Sequence, residues 1–362
     1  MKPDAEVAIV GAGPIGIELA GAFKREGVPY LHFEAEQIGH TISRYARFTR
    51  FFSSPERLAI AGIPIQTPDQ EQTTGEVYLS YLRSVVEILD LDIHTFERVI
   101  EVMPLQNDDD REGYLVRTQT RTTEHEYLVK KVVFANGDMA HATALGIPGE
   151  DLPHVSHFFL DPHLYLRKKL LVVGGRNSAM EAALRSFRAG AKVALSTRRD
   201  LDPKHLNSRL HLEMSILARK GYVEHLPHTV PVEIRAESVL LKKAESNDSD
   251  GPHTFEQPAD FVLLNTGYTA DTSLLRSLGV EFDNEGIPSS NPETLETNVR
   301  GIYVAGTAVG GEQHRYHIFI GTAHIHTARI FRAITGSDTS WYGTIPSRRY
   351  PFFLSDIQPE GQ

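Results

Sequence analysis

Two short apolar runs, each followed by glycines and then by a helical pattern, dominate the hydrophobic profile of this chain. Residues 7–10 are typical of a buried parallel strand, and residues 17–23 repeat apolar and alanine positions with the period of a helix. A second strand, residues 30–33, ends at Glu34. This order of strand, helix and strand predicts a βαβ unit in a parallel sheet.

The turn between the first strand and its helix carries three glycines in the spacing G-x-G-x-x-G. Gly11 allows a tight turn, Gly13 leaves room for a pyrophosphate to approach the main chain, and Gly16 lets the helix pack on the strand. The helix N-terminus presents free N–H groups to phosphates. Glu34 stands where a carboxylate can accept hydrogen bonds from a ribose diol. Together these features predict a dinucleotide site.

The same order returns in the middle of the chain. A buried strand at 170–173 leads into a second turn, a helix at 180–188 and another strand at 192–197. The turn lacks the middle glycine of the first unit, and we interpret it as a nucleotide site because it duplicates the elements around that site. Its predicted cofactor-binding residues are Gly174, Gly175, Arg176, Asn177 and Ser178.

The two units differ at the point where their second strand ends. Glu34 follows the strand of the first unit, whereas Arg198 and Arg199 follow that of the second. A carboxylate suits a free ribose 2′-hydroxyl, and an arginine suits a 2′-phosphate. We therefore predict FAD in the first unit and NADPH in the second. The alternative is that the two arginines are an exposed surface pair.

The remaining segments complete an α/β pattern. Residues 95–102, 113–120 and 126–134 alternate like an antiparallel meander, and residues 318–334 form an apolar helix. Further strands are predicted at 230–243, at 260–265 and at 301–306, with a hydrophilic loop between the first two. Small residues that end these strands are also assigned to cofactor binding: Ala135, Asn136, Gly137, Gly267, Gly306 and Thr307. The predicted fold class is α/β, with two Rossmann-like three-layer ββα dinucleotide-binding domains, the second inserted into the first.

The composition narrows the possible functions. The 362 residues, 41% of them hydrophobic, are enough for two or three domains, and the net charge of −10 argues against nonspecific nucleic-acid binding. The absence of cysteine excludes disulfides, thiolate metal sites and protein dithiol chemistry, and it fits a cytoplasmic protein. No apolar run is long enough to predict a membrane span. No metal site is expected, because His324 and His326 face different sides of their helix.

Several segments together resemble one family of flavoproteins. They are FFSSPERLAI at 51–60, IPGEDLPHV at 147–155, LLVVGGRNSAMEAAL at 170–184, NTGYTAD at 265–271 and ETNVRGIYVAG at 296–306. Over residues 5–335 the chain resembles the bacillithiol-disulfide reductase family, a branch of the thioredoxin-reductase-like proteins. The resemblance implies a homodimer with an FAD-binding domain in two parts, an inserted NADPH-binding domain and a C-terminal tail. Their predicted ranges are 1–160 and 269–336 for FAD, 161–268 for NADPH and 337–362 for the tail.

The resemblance completes the set of predicted cofactor-binding residues with Pro14, Ile15, Phe52, Ser53, Val99 and Ile318. The chain also departs from the family. Ile15 stands where the family has a cysteine, Asn136 interrupts the usual A-T-G, and Thr307 replaces an aspartate found in many of these flavoproteins. The C-x-x-C of thioredoxin reductases is missing. These changes are compatible with FAD binding, but they exclude thiol–disulfide chemistry through protein sulfur.

The chemistry that remains is hydride transfer from NADPH to flavin and onward to an external acceptor. We expect a small-molecule acceptor, with a low-molecular-weight disulfide as one candidate and a small redox protein as another. His314 and His317 are the predicted catalytic residues, because a cation before the last helix could stabilise negative charge at flavin N1 or protonate a leaving thiolate. The alternative is that both histidines cap the helix or line a dimer surface.

Two other functions stay open at this point. A flavin monooxygenase would also have two dinucleotide domains, although the F-x-G-x-x-x-H motif of those enzymes is not matched, since His154 comes one position late after Gly149. A ferredoxin-partner or nucleotide-sensing flavoprotein would bind both cofactors and turn over slowly alone. The aromatic residues of the tail, between 341 and 353, are expected to pack on a surface or a partner subunit, or to cover the flavin.

Overall fold

A computed structural model of the protein describes residues 3–105, 113–243, 253–310 and 318–337, which form two compact units. The first unit contains the described residues of Met1–Ser43, Phe48–His141 and Tyr268–Gln362. The second contains Arg44–Arg47 and the described residues of Ala142–Gly267.

Seventeen strands and eight α-helices lie in the described ranges. The strands are β1 (Ala5–Val10), β2 (Tyr30–Glu34), β3 (His94–Thr95), β4 (Arg98–Pro104), β5 (Tyr114–Gln119), β6 (Glu124–Phe134), β7 (His141–Ala142), β8 (Val155–Ser156), β9 (Lys169–Val173), β10 (Lys192–Thr197), β11 (Glu224–Pro227), β12 (Thr229–Ile234), β13 (Ser238–Lys243), β14 (Thr254–Pro258), β15 (Phe261–Leu264), β16 (Tyr268–Thr269) and β17 (Ile302–Val304). The helices are α1 (Pro14–Arg25), α2 (His40–Ser43), α3 (Pro55–Leu58), α4 (Gly75–Ile88), α5 (Asn177–Arg188), α6 (Ser208–Arg219), α7 (Ser273–Ser277) and α8 (Ile320–Thr335). Short 3₁₀ helices lie at Pro162–Tyr165, Pro203–His205 and Gly306–Gly310.

A seven-stranded sheet forms the centre of the first unit, in the order β3-β2-β1-β6-β5-β4, with β17 beside β6. β1 runs parallel to β2 and to β6. The long β6 has two further partners besides β1, because its residues 124–129 pair antiparallel with β5 and its residues 132–134 pair parallel with β17. The antiparallel strands β4, β5 and β6 confirm the predicted meander.

One apolar helix packs on this sheet, and a second packs on the first. Every residue of α1 from Ile15 to Phe23 is buried, as expected of a helix that is apolar on nearly all sides. α8 packs against it through Phe331, whose ring centroid lies 5.7 Å from that of Phe23. α8 ends at Gly336, which has a φ of 70° and closes the helix in the left-handed conformation. The helix predicted at 318–334 is therefore confirmed, with its first turn two residues later.

The second unit is built on a five-stranded parallel sheet in the order β11-β10-β9-β15-β8. A separate antiparallel sheet contains β12, β13 and β14. The prediction of one strand over 230–243 is wrong, because the Arg235 N–H donates to the Ser238 carbonyl (2.8 Å) and turns the chain into a hairpin. β14 lies where a hydrophilic loop was expected.

The insertion of one unit into the other is confirmed, because residues 142–267 interrupt the first unit along the chain. The first boundary lies at residue 142 and not at residue 161, since β8 pairs with β15 of the second unit. The return to the first unit at residue 268 is within one residue of the prediction. Most of the tail at 337–362 lies outside the described residues. Within the described ranges, no helix is both long enough and apolar enough to span a membrane.

Candidate functional site

The first glycine turn depends on a glycine at residue 11. Gly11 has a φ of 104°, and a Cβ there would lie 2.7 Å from the main-chain oxygen of Ala135. Its N–H donates to the Phe33 carbonyl (2.8 Å), and the Ala135 N–H donates to the Val10 carbonyl (2.8 Å). The ends of β1, β2 and β6 are thereby joined at one edge of the sheet. A side chain at residue 11 would separate them.

Gly16 brings α1 close to this turn. A Cβ on Gly16 would lie 2.0 Å from the Gly11 carbonyl oxygen, so only glycine fits. The same carbonyl accepts a hydrogen bond from Nε2 of His32 in β2 (3.0 Å). His32 is fully buried, and this burial lowers its pKa from 6.5 to about 4, so the ring is neutral with its proton on Nε2. The sequence predictions missed His32, whose only signal is a histidine within a buried strand.

Gly13, in contrast, faces open space. A Cβ on Gly13 would meet no atom within 4 Å, and α1 begins directly after it at Pro14. The first turn of α1 contains no acidic residue of its own that would offset the positive end of the helix dipole. The glycine turn therefore offers main-chain N–H groups and free space together, which suits a pyrophosphate.

The Glu34 carboxylate is held beside the turn. Its Oε2 accepts a hydrogen bond from the Ala12 N–H (2.7 Å), and its Oε1 accepts one from the Glu36 N–H (3.0 Å). Each oxygen keeps a second lone pair for a ligand hydroxyl. Directly after Glu34 lies a surface cavity of about 230 Å³ lined by Ala35, Glu36, Phe96, Arg98, Gln119, Thr120 and Arg121. The neighbouring side chain of Val99, a predicted cofactor contact, is only 7% exposed and packs in the core.

The end of β6 and the end of β17 meet the same turn. A Cβ on Gly137 would lie 3.6 Å from the Thr307 hydroxyl oxygen, and Asn136 donates from Nδ2 to the Asp271 carbonyl (3.0 Å). Gly306 has a φ of 66° and faces Ile15, whose Cγ1 would lie 3.4 Å from a Cβ at Gly306. The structure thus brings the predicted residues of three distant segments together. The Ile15 side chain is buried against Gly306.

His326 is a second histidine that the sequence predictions missed as part of this site. The Gly306 N–H donates to its Nδ1 (3.1 Å), so the imidazole accepts there and carries its proton on Nε2. Burial lowers the pKa of His326 from 6.5 to about 4, with a smaller contribution from the charge of Arg329. His326 is therefore a neutral support for the turn after β17. In the part of the chain that is described, no group of three or more potential metal ligands occurs.

The remaining predicted residues of the first unit lie near helix starts. Phe52 is 54% exposed and Ser53 is half-buried, just before α3. Ile318 is half-buried two residues before α8, and its Cδ1 would lie 3.9 Å from a Cβ on Gly310. The predicted catalytic residues His314 and His317 lie outside the described residues, so their role stays a prediction.

The second glycine turn repeats the close approach of the first. Gly174 has a φ of 145°, and a Cβ there would lie 2.4 Å from the Asn265 carbonyl oxygen. Gly175 is exposed, and a Cβ on it would lie 4.0 Å from its nearest neighbour, Thr197. Arg176 is the N-cap of α5 in an extended conformation, followed by Asn177 and the exposed Ser178 in the first turn.

Two cationic side chains stand at the same edge of this sheet. Val173 pairs with Ser196 and with Leu264, so the chain segments after β9, β10 and β15 leave the sheet together. Arg198 and Arg199 follow β10 and are exposed. Gly267 follows β15 with a φ of 103°, and its carbonyl accepts a hydrogen bond from the Thr143 N–H (3.0 Å). Asn177 Oδ1 accepts from the Asn207 N–H (2.8 Å), which ties α5 to the start of α6.

Comparisons with known proteins agree with this geometry. The model of the pyridine nucleotide-disulphide oxidoreductase family matches residues 8–306. The bacilliredoxin reductase Bdr of Bacillus subtilis is 31% identical over 323 residues, which cover 89% of this chain and 95% of that protein. A ferredoxin–NADP reductase of Ignicoccus hospitalis is 26% identical over 303 residues, which cover 83% of this chain and 89% of that protein.

Solved structures lead to the same family. The bacillithiol disulfide reductase Bdr (YpdA) from Bacillus cereus superposes with a TM-score of 0.83 at 29% identity and covers 92% of this chain and 99% of its own. Lactococcus lactis thioredoxin reductase shares the fold, with a TM-score of 0.71 at 20% identity and coverage of 92% and 98%. These comparisons confirm the predicted resemblance to bacillithiol-disulfide reductases. The chain belongs to the pyridine nucleotide-disulphide oxidoreductase family and is a pyridine-nucleotide-dependent flavoprotein oxidoreductase, the class whose cofactors are FAD and NADPH.

Proposed function

We propose that this protein reduces an external low-molecular-weight disulfide with NADPH, through bound FAD and without any protein dithiol. The observation that carries the proposal is the combination of a fold shared with a bacillithiol disulfide reductase and a sequence that contains no cysteine. The overall reaction consumes NADPH, one proton and one disulfide, and it yields NADP⁺ and two thiols. The sulfur atoms that are reduced must therefore belong to the acceptor.

The first unit supplies a cradle that fits FAD. Gly13 leaves open space at the start of α1, and the Glu34 carboxylate lies beside that space with lone pairs available. We assign the pyrophosphate to the residues around Gly13 and Pro14, and the ribose of the adenosine to Glu34. The surface cavity beside Glu36 and Phe96 suits the adenine. Phe52, Ser53, Gly137, Thr307 and Ile318 are assigned to the flavin half.

The second unit supplies a cradle that fits NADPH. Gly175 is open to solvent at the start of α5, whose first turn contains no acidic residue. Arg198 and Arg199 follow the neighbouring strand and are assigned to the 2′-phosphate. Asp200, the next residue, has its carboxylate 3.1 Å from Nε2 of His228. That contact directs the one acidic group of the segment toward a histidine.

Hydride transfer between nicotinamide and flavin, and from flavin to the disulfide, is the chemistry that the two cofactors supply when bound. The residues of the protein orient the two cofactors and donate the proton that the reaction requires. The leaving thiolate needs a proton, and His314 and His317 are our proposed donors. With FAD still bound, His314→Ala and His317→Ala should slow reoxidation by the acceptor. Unchanged turnover in both variants would remove these residues from the mechanism.

A stopped-flow experiment tests the proposed function. The purified protein should be yellow, and its flavin absorbance should bleach within seconds when NADPH is added under nitrogen. Bacillithiol disulfide or another small disulfide should then restore the absorbance, with two thiols formed per NADPH oxidised. A protein that binds no FAD, or that bleaches but is not reoxidised by any small disulfide, would contradict the proposal.

A second candidate is electron transfer to a small redox protein. The similarity to ferredoxin–NADP reductases favours it, because those enzymes are named for a protein acceptor. In the same stopped-flow experiment, ferredoxin or a bacilliredoxin would restore the absorbance while small disulfides would not. Incorporation of oxygen into a product would instead indicate a flavin monooxygenase.

A further inference from the structure

A buried ion pair joins helices α1 and α8 of the first unit. Glu18 of α1 is 2% exposed and His324 of α8 is fully buried, and Glu18 Oε2 lies 2.9 Å from His324 Nδ1. Ionisable groups are rarely buried this deeply unless they are paired, because removing them from water is costly. The assigned FAD contacts do not include either residue. The pair therefore calls for an explanation of its own.

The hydrogen-bond partners fix the protonation state of His324. Nδ1 faces the Glu18 carboxylate, and Nε2 faces the main-chain carbonyl oxygen of Arg57 at 2.9 Å. Both partners can only accept, so both ring nitrogens must donate and the ring is an imidazolium. Burial lowers the pKa of His324, but the charge of Glu18 and the two hydrogen bonds outweigh it and hold the pKa above its usual value.

The same cluster holds α3 and the chain segment that follows it. Glu18 Oε1 accepts a hydrogen bond from the Ala61 N–H (3.1 Å), while His324 binds the Arg57 carbonyl. One ion pair thus forms hydrogen bonds to the main chain at two positions, Arg57 and Ala61. Gly321, in the first turn of α8, packs against this segment, since a Cβ there would lie 3.2 Å from the Arg57 carbonyl oxygen. Residues 57–61 lie a few positions after Phe52 and Ser53, which we assigned to the flavin half of FAD.

We propose that the Glu18–His324 pair is a positioning site for FAD, which needs the imidazolium to hold the Arg57 main chain against the first turn of α8. This inference rests on the proposed function, because it assumes that residues 52–53 and the start of α8 bind the flavin. Neutral His324 has one proton fewer, so it must release either the Glu18 carboxylate or the Arg57 carbonyl. FAD affinity should then fall as His324 loses its proton, and FAD binding should reciprocally raise its pKa.

The other groups that face the pair do not titrate in the same range. Arg57 of α3 stays charged, although burial lowers the pKa of its guanidinium. The pKa of Tyr81 of α4, beside Glu18, is raised by burial above 10. His326, the next histidine of α8, has a pKa of about 4 because it is buried. A pH-dependent change above the usual pKa of histidine can therefore be assigned to His324.

Glu18→Gln is the decisive variant, because it removes the charge and can still form hydrogen bonds with Ala61, His324 and Thr327. The Thr327 hydroxyl, which donates to Glu18 Oε2 (3.3 Å), can instead accept from the second N–H of the amide. The amide oxygen can accept from the Ala61 N–H, and the amide nitrogen can donate to Nδ1 of a neutral His324, whose Nε2–H still binds the Arg57 carbonyl. Glu97→Gln is the matched control, since Glu97 is another buried carboxylate paired with a histidine, His94, at 3.0 Å. Its other partners, Thr118 and Tyr127, belong to the meander.

The experiment measures the dissociation constant of FAD by fluorescence between pH 6 and 9, and the pKa of His324 by NMR of ¹⁵N-histidine-labelled protein. For the natural protein and for E97Q, FAD affinity should fall about tenfold for each unit by which FAD raises the His324 pKa. For E18Q, affinity should be nearly constant with pH and close to the value of the natural protein at pH 6. A pH profile of E18Q that matches the natural one would overturn the inference.

The wild-type data alone also decide the question if E18Q does not fold. A fall in FAD affinity that does not coincide with the His324 titration seen by NMR would contradict the positioning role. Protein that binds no FAD at any pH would instead contradict the proposed function. The two failures are therefore distinguishable.

Discussion

Gly13 and Gly16 lie in the same turn, but their substitution by alanine should have different effects. Gly13→Ala should weaken FAD binding, whereas Gly16→Ala should lower the stability of the fold. Gly13 has a φ of −75° and an open Cβ direction, so Gly13→Ala adds a methyl group without strain or clash in the protein. At Gly16 the same methyl would lie 2.0 Å from the Gly11 carbonyl oxygen, and α1 would have to move away from β1. The two changes are chemically identical and lie three residues apart.

The magnitudes follow from the contacts. Overpacking by one methyl group costs about 1–3 kcal/mol when the surroundings cannot move. In Gly13→Ala this cost should appear in FAD binding, as a loss of affinity of about 5- to 150-fold, while the free energy of unfolding changes by less than about 0.5 kcal/mol. In Gly16→Ala the cost should appear in unfolding itself, by at least about 1–3 kcal/mol.

The assay combines urea unfolding of the cofactor-free protein, followed by circular dichroism, with fluorescence titration of FAD. Gly27→Ala serves as a control for both, because Gly27 also has open space at its Cβ but lies at the far end of α1 and carries only the strain of a φ of 68°. Full FAD affinity in Gly13→Ala would show that the pyrophosphate does not approach this turn. Full stability in Gly16→Ala would show that the close approach of α1 is not rigid.

Two further predictions concern charge. Arg198→Ala together with Arg199→Ala should raise the KM for NADPH about tenfold or more and leave the KM for NADH unchanged, because only NADPH carries the 2′-phosphate; equal effects on both nucleotides would contradict the assignment. His32 and His326 have folded-state pKa values of about 4, below the unfolded value of 6.5, so the unfolded state binds more protons and stability should fall as pH drops from 6.5 to about 4. The loss should reach on the order of 3 kcal/mol per histidine, and urea unfolding at several pH values should show a smaller loss in His326→Gln.

The parts of the site that follow from local pattern could be predicted from the sequence. At Gly11, Gly16 and Gly174, two main-chain segments lie too close together for any side chain. The glycine-rich turns between strand and helix predict these close approaches from the sequence. The roles of His32 and His326 could not be predicted, because each depends on a hydrogen bond to a main-chain group more than 19 residues away. The hydrophobic periodicity of a sequence predicts which face of a helix or strand is buried, but it does not predict which hydrogen-bond partner a polar side chain on that face will have.

The same limit explains the larger misses. Glu18 and His324 are separated by 306 positions, and each alone looks like an ordinary polar residue on a helix. β8 contains two residues, too few for any alternation to show, so its pairing with β15 and the domain boundary at residue 142 were missed. The hairpin of β12 and β13 was predicted as one strand, because the turn between them, residues 235–237, contains neither glycine nor proline.

The hydrogen bond between Thr143 and Gly267 has a consequence for how this architecture can change over evolutionary time. Thr143 is the second residue of the inserted stretch Ala142–Gly267 and Gly267 is its last, so its entry and exit points are adjacent. A domain whose termini touch can be lost, exchanged or acquired by recombination without stretching the host polypeptide. Swapping residues 142–267 for the matching stretch of an NADH-selective relative should thus yield a chimera that changes its choice of reductant while keeping the acceptor chemistry of its parent.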